Sequence, residues 1–135
     1  MADSALAVID GVLTRLKAYA PVTALVSTSI YTDVPQQTKP PYIVMSIDSD
    51  DWSTKSSSDM SHVLRVQSFS DKKGIKEVLT IRSAVVDALD RQEASVTLSS
   101  GTVMLMQKGG LNTAFKEPDG KTWQSVVQFN IIVQS

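Results

Sequence analysis

From Trp123 to Gln134 the chain alternates without a break. Trp123, Ser125, Val127, Phe129, Ile131 and Val133 take one parity, and Gln124, Val126, Gln128, Asn130, Ile132 and Gln134 take the other. A period of two sends these sets to opposite faces of a strand, one apolar and one rich in amides. Such a strand needs neighbours to pair its backbone and a second layer to bury its apolar face. Just before it, Pro118-Asp119-Gly120-Lys121 has the chemistry of a tight turn, with proline presetting φ and glycine supplying a positive φ. The strand is therefore reached through a turn, and a strand is expected upstream: Thr102 to Gln107 after Gly101, with Gly109-Gly110 marking a bulge or bend. Val96 to Leu98 reads as a further short strand.

The second layer is helical. Residues 3 to 20 repeat Leu6, Ile9, Leu13, Leu16 and Ala20 at helical spacing, with Val12 widening the stripe and Asp3 placed to cap it. Pro21 ends that helix and opens a short one through Val26. A longer helix runs from about Lys72 to Asp90, capped by Asp71, on a stripe of Ile75, Val78, Leu79, Arg82, Val85, Val86 and Leu89. Between the helices lie a brief extended piece at Ser29 to Thr32, then a connector over 33–41 whose three prolines forbid regular structure. Tyr42 to Ile47 and His62 to Phe69 read as strands, the second with imperfect alternation. The serine-rich stretch 49–61 reads as a long exposed loop or hairpin tip holding an isolated Trp52. This order gives one α+β domain over 1–135: a mostly antiparallel sheet of about four to five strands packed against two main helices.

Composition narrows the function. With 13 basic and 14 acidic residues the chain has a net charge of −1, without the basic footprint of a nucleic-acid binder. It has no cysteine and a single histidine, His62, which excludes disulfides, thiolate metal sites and cysteine nucleophiles. No stretch has the length of about 18 apolar residues that marks a transmembrane helix, and Met1-Ala-Asp-Ser-Ala-Leu6 lacks the basic start of a signal peptide.

Candidate chemistry fails one motif at a time. The glycines fit neither a dinucleotide fingerprint nor a P-loop, and no serine sits in a nucleophile elbow. Asp48-Ser-Asp50-Asp51 opens like a calcium loop. It then places Trp52 at the fifth position, Ser53 where glycine belongs and Asp59 where a bidentate glutamate belongs. It reads as a solvated acidic segment. His62 has no evident partner and reads as a surface or strand-edge residue. Glu117 and Asp119 flank a surface turn where nothing tunes a carboxylate pair. Arg82 reads as snorkelling or paired locally, with a subunit interface as the sharper alternative. Trp52 is either folded back on the sheet or offered to a partner. No catalytic, cofactor or metal site is expected. The residues expected to serve an interface are Trp52, Asp50, Asp51, Arg82, Gln124, Gln128 and Asn130.

Several segments then combine into a familiar order. They are Ile30-Tyr31-Thr32-Asp33-Val34-Pro35-Gln36 with Pro40-Pro41-Tyr42-Ile43-Val44, then Asp51-Trp52-Ser53, Val66-Gln67-Ser68-Phe69-Ser70, Ile81-Arg82-Ser83-Ala84-Val85 and Glu117-Pro118-Asp119-Gly120-Lys121-Thr122-Trp123. From Leu6 to Val133 the chain resembles the tail-completion, or tail-terminator, family of long-tailed bacteriophages and gene transfer agents. The resemblance implies a non-enzymatic virion protein, made in the bacterial host cytoplasm and placed at the head-proximal end of the tail. It implies a homohexameric ring that caps the tail tube, ends its polymerisation and meets the head-completion or connector (stopper) protein. DNA would pass through without specific binding, and no membrane or cofactor is involved. Acidic Asp48, Asp50, Asp51 and Asp59 would suit a ring opening that repels phosphate. The competing readings are another head–tail neck component and a small ligand-binding α+β domain.

Overall fold

The computed structural model describes residues 5–27, 29–33, 38–51, 59–72, 75–99 and 101–134. Two helices, α1 (Ala5–Ala18) and α2 (Ala20–Val26), precede a two-residue strand β1 (Ile30–Tyr31). The strands β2 (Tyr42–Asp51) and β3 (Asp59–Ser70) follow, then α3 (Lys76–Leu89), a single 3-10 turn (Glu93–Ser95), β4 (Thr102–Lys116) and β5 (Trp123–Gln134). The strands form one sheet in the order β1-β2-β3-β5-β4. Only the short β1–β2 contact is parallel, and the other pairings are antiparallel. The architecture is the expected α+β one.

Hydrophobic burial explains why the sheet has two unlike faces. On one side β2 contributes Ile43 and Met45, β3 Leu64 and Val66, and β5 Val127, Phe129, Ile131 and Val133. These pack under Val8, Val12 and Leu16 of α1 and Ile81, Val85 and Leu89 of α3. The β5 alternation is as expected, with Phe129, Ile131 and Val133 fully buried. Pro21 sits in the first turn of α2, which begins at Ala20, while α1 ends at Ala18 and not at the proline, with the break between them at Tyr19. The register of β4 against β5 shifts between Lys108 and Asn112, where the paired glycines predicted a bulge.

Other expectations are corrected. The buried stripe of α1 is Ala7, Val8, Gly11, Val12 and Leu16, while Leu6 is 70% exposed. The reason is Gly11, because a Cβ there would meet Leu98 Cδ2 and the Thr97 carbonyl oxygen, each at 2.9 Å. The helix turns its smallest residue to the wall formed by 96–98, so that segment packs on α1 and pairs with no strand. Likewise α3 buries Val78, Ile81, Ala84, Val85, Ala88 and Leu89, and it begins later than expected, with exposed Ile75 rather than Asp71 at its N-cap. In β3 the even residues His62, Leu64, Val66, Ser68 and Ser70 share the buried face in strict alternation. His62 is therefore a fully buried core-face residue of a central strand, not a surface or edge one. The expected loop 49–61 is shorter, because β2 runs to Asp51 and β3 starts at Asp59. Ladder hydrogen bonds to a partner hold polar strand ends that burial alone would not. The cap expected at Asp3 and the loop centre with Trp52 lie outside the described residues.

Candidate interaction surface

Among the described residues no helix lies over the second face of the sheet, and the register fixes which side chains share it. One row carries Tyr42, Phe69, Gln124 and Phe115, and Tyr31 of β1 stands opposite Val44 in the row beside it. The next carries Val44, Gln67, Val126 and Thr113, and beyond it Ser46, Arg65 and Gln128 align. A further row sets Asp48, Val63, Asn130 and Gln107 side by side. Tyr42 stacks on Phe69 with ring centroids 4.9 Å apart, and Tyr31 lies 6.4 Å from Tyr42. Arg65 Nη1 donates to Asp48 Oδ2, a diagonal cross-strand pair on an exposed surface. The face thus grades from an aromatic end to a charged and amide-rich end.

At the aromatic end, Tyr42, Phe69, Glu117, Pro118, Asp119 and Thr122 line an open cleft of about 370 Å³. Burial pushes the Tyr42 phenol above its ordinary pKa, and the nearby Glu117 carboxylate adds to the effect. The turn beside it is held by Asp119, whose Oδ1 accepts from the N–H groups of Lys121 (2.8 Å) and Thr122 (2.9 Å). Its Oδ2 accepts the Thr122 hydroxyl at 2.8 Å. Those bonds hold the Asp119 carboxyl below the usual range. Gly120 has φ +74° with nothing near its missing side chain, so it is there for conformation alone.

Two more clefts are shallow and mostly apolar. One of about 730 Å³ runs between α2 and α3 past Pro21, Leu25, Ile75, Leu79 and Ala84. The other, about 390 Å³, lies beside the outer edge of β2 between Leu6 and Ile9 of α1 and Met45 and Ile47. Neither holds a convergent set of titratable groups of the kind an active site needs. Among the described residues, no three His, Asp or Glu side chains come together to hold a metal ion. No helix is long and apolar enough to cross a membrane.

Of the expected interface residues, Gln124, Gln128 and Asn130 come together on the uncovered face: Gln124 nearly buried, Gln128 half-buried, Asn130 exposed. Asp50 and Asp51 occupy the far end of β2. Arg82 stands apart on α3, half-buried in the helical layer, and Trp52 lies outside the described residues. Sequence reasoning missed the aromatic row and the Arg65–Asp48 pair. The odd residues of β3 carry that signal, which the polar His62, Ser68 and Ser70 on its buried face mask in the sequence.

The chain matches the family described as "Tail completion protein gp17" over residues 10–134. No curated protein matches it. Among solved structures, a chain of a structure titled "Virion of native gene transfer agent (GTA) particle" is similar with a TM-score of 0.89. It shares 24% sequence identity, and the likeness covers 100% of both chains. At that identity the likeness speaks for the fold.

Proposed function

The chain belongs to the tail completion protein gp17 family, a structural component of the virion tail, and from that premise we propose that it is the ring that closes the tail tube. The observation that carries this reading is the family match over residues 10–134. In this reading, copies join into a homohexamer that sits on the last layer of tube protein, ends polymerisation and presents its other side to the connector. Surfaces do this work, with no cofactor and no chemistry. The near-neutral chain supports DNA passing through the opening without being gripped, since it brings no basic surplus to bind phosphate. The uncovered sheet face, with Gln124, Gln128 and Asn130, is the surface offered to a tail component.

Native mass measurement and electron microscopy of the protein mixed with growing tail tubes test this. Six-membered rings seated at one tube end, with tubes that stop lengthening, are the expected result. Tubes that grow past the protein with no ring at their ends overturn it, and binding to the connector alone assigns the protein to the neck instead.

A further inference from the structure

The sheet ends in β4 on one side and, on the other, in β2 with the two-residue β1 outside it, and β2 and β4 carry opposite charges. The charged residues of β2 are Asp48, Asp50 and Asp51, all acidic. Those of β4, at the other edge, are Lys108 and Lys116, both basic. Among the described residues, each edge also leaves a length of backbone without a partner. On β2, the Ile43 N–H donates outward to the Ser29 carbonyl at 2.9 Å, and β1 pairs only with Ile43 and Val44. By the alternation of the ladder, Ile47, Ser49 and Asp51 present their main chain on that same outer side, past the end of β1. On β4, the Arg91 N–H donates to the Met106 carbonyl (2.8 Å), Glu93 Oε1 accepts from the Met106 N–H (3.3 Å) and Asp90 Oδ1 accepts from the Lys108 N–H (2.9 Å). These bonds close the edge at 106–108, and from Gly109 to Lys116 no described element lies outside it.

The bulge between Lys108 and Asn112 interrupts the β4 edge, which is regular again from Asn112 to Lys116, so these edges are only partly blunted. Large apolar side chains stand beside both: Leu6, 70% exposed, next to the β2 edge, and Met104 and Phe115, 54% and 42% exposed, on β4. The cleft of about 390 Å³ between Leu6, Ile9, Met45 and Ile47 gives an added strand an apolar floor next to the open backbone. Direction fits as well. Three successive antiparallel pairings make β2 and β4 run oppositely. A copy rotated about an axis along the strands therefore sets its β2 antiparallel to β4 of its neighbour. Because the edges differ, the contact is heterologous and passes from copy to copy until the ring closes.

We propose that the free stretch of β4 in one protomer adds to the free edge of β2 in a second copy, the strand that carries Lys116 set against the acidic end of β2, so that the sheets join edge to edge around the assembly. The inference rests on the ring reading above and names its interface. The two free stretches lie at opposite ends of the sheet, so joined copies are staggered along the strands, as tilted strands in a closed sheet are. It also gives the acidic end of β2 a lysine-bearing strand as its neighbour, in place of the DNA channel expected for Asp48, Asp50 and Asp51 from the sequence.

Two charge-reversed chains test it. One is Lys116→Glu, in the free stretch of β4. The other is Asp50→Lys/Asp51→Lys, which leaves the Asp48–Arg65 pair intact. Each chain alone then sets like charges edge to edge, and the concentration for half-assembly rises about tenfold or more. Mixed one to one, the edges alternate in complementary pairs around an even-membered ring, and assembly returns to within about threefold of wild type. Recovery on mixing also shows that both variants are folded. Variants that assemble as well alone as wild type does, or that the mixture fails to rescue, overturn the interface while wild-type rings leave the ring reading standing. Wild-type protein that stays monomeric both free and on tail tubes overturns the ring and the interface together.

Discussion

Ser68 and Ser125 face each other across β3 and β5 on the buried side of the sheet, and neither hydroxyl has a hydrogen-bond partner among the described residues. A buried hydroxyl without a partner loses its water and gains nothing in exchange. Ser125→Ala is therefore expected to stabilise the fold by about 1 kcal/mol, read as a higher midpoint in urea at unchanged slope. A lower midpoint shows that the hydroxyl is satisfied in solution. Ser70 shows the contrasting case on the same face. Its Oγ donates to Glu77 Oε1 at 2.6 Å and accepts the Lys72 N–H at 3.2 Å, tying the end of β3 to the first turn of α3. Asp119 gives a residue-scale dependence on pH. Its folded pKa lies below the ordinary carboxylate value because the ionised form accepts the turn N–H groups. The stabilisation is therefore present above the unfolded pKa and is lost as pH falls through the folded one. Thermal melts of wild type and Asp119→Ala are expected to separate at pH 7, with wild type higher, and to converge as the pH falls below about 4. A gap that stays constant down to acid pH shows that the charge plays no part.

At the scale of the element, α1 is placed by one glycine and one arginine. Gly11→Ala gains helix propensity of about 1 kcal/mol, yet the new Cβ meets a backbone oxygen, Thr97 O, at 2.9 Å. Overpacking against backbone costs about 1–3 kcal/mol, so the net expectation is a loss of stability measured by denaturant unfolding. A gain shows that the 96–98 segment yields freely. Arg15 of α1 donates from Nε to the Ala88 carbonyl at 3.0 Å and lies 4.7 Å from the Tyr19 ring centroid. It brings a cation to the end of α3, whose own last turn has none. Arg15→Ala is expected to cost about 1–2 kcal/mol, with Arg15→Gln no better than halfway, again by denaturant unfolding. These same elements show what was legible in the chain. The β5 strand was readable because its period is strict and its burial follows polarity. The faces of α1 and α3 were misplaced because counting large apolar residues gives no weight to Gly11, Ala84 and Ala88, which are buried through close approach rather than bulk. The ends of β2 and β3 were read as loop because serine and aspartate carry no apolar signal, whereas their place in the sheet is set by pairing register.

The whole molecule is a layer of helices on one side of a sheet whose other side is bare, and the bare side is where amides read from the sequence came together. Asn130 stands near the middle of that face, exposed, in a row with Val63 and Gln107 and next to the exposed Arg65–Asp48 pair. A substitution at such a site changes stability by no more than about 0.5 kcal/mol, because no packing is lost and no buried group is orphaned. Its effect on assembly is then a reading of docking and not of folding. Asn130→Arg adds a long cation at the centre of the face, which costs little in water and much when desolvated against a partner. The expected outcome is an unchanged melting midpoint and intact rings that no longer stop tube growth, seen by electron microscopy of tubes grown with the variant. Rings that fail to form move the amide face into the contact between protomers, at odds with joining through the sheet edges. Rings that cap tubes as wild type does leave this face without a partner and place tube contact on the helical layer, where Arg82 and the groove between α2 and α3 lie.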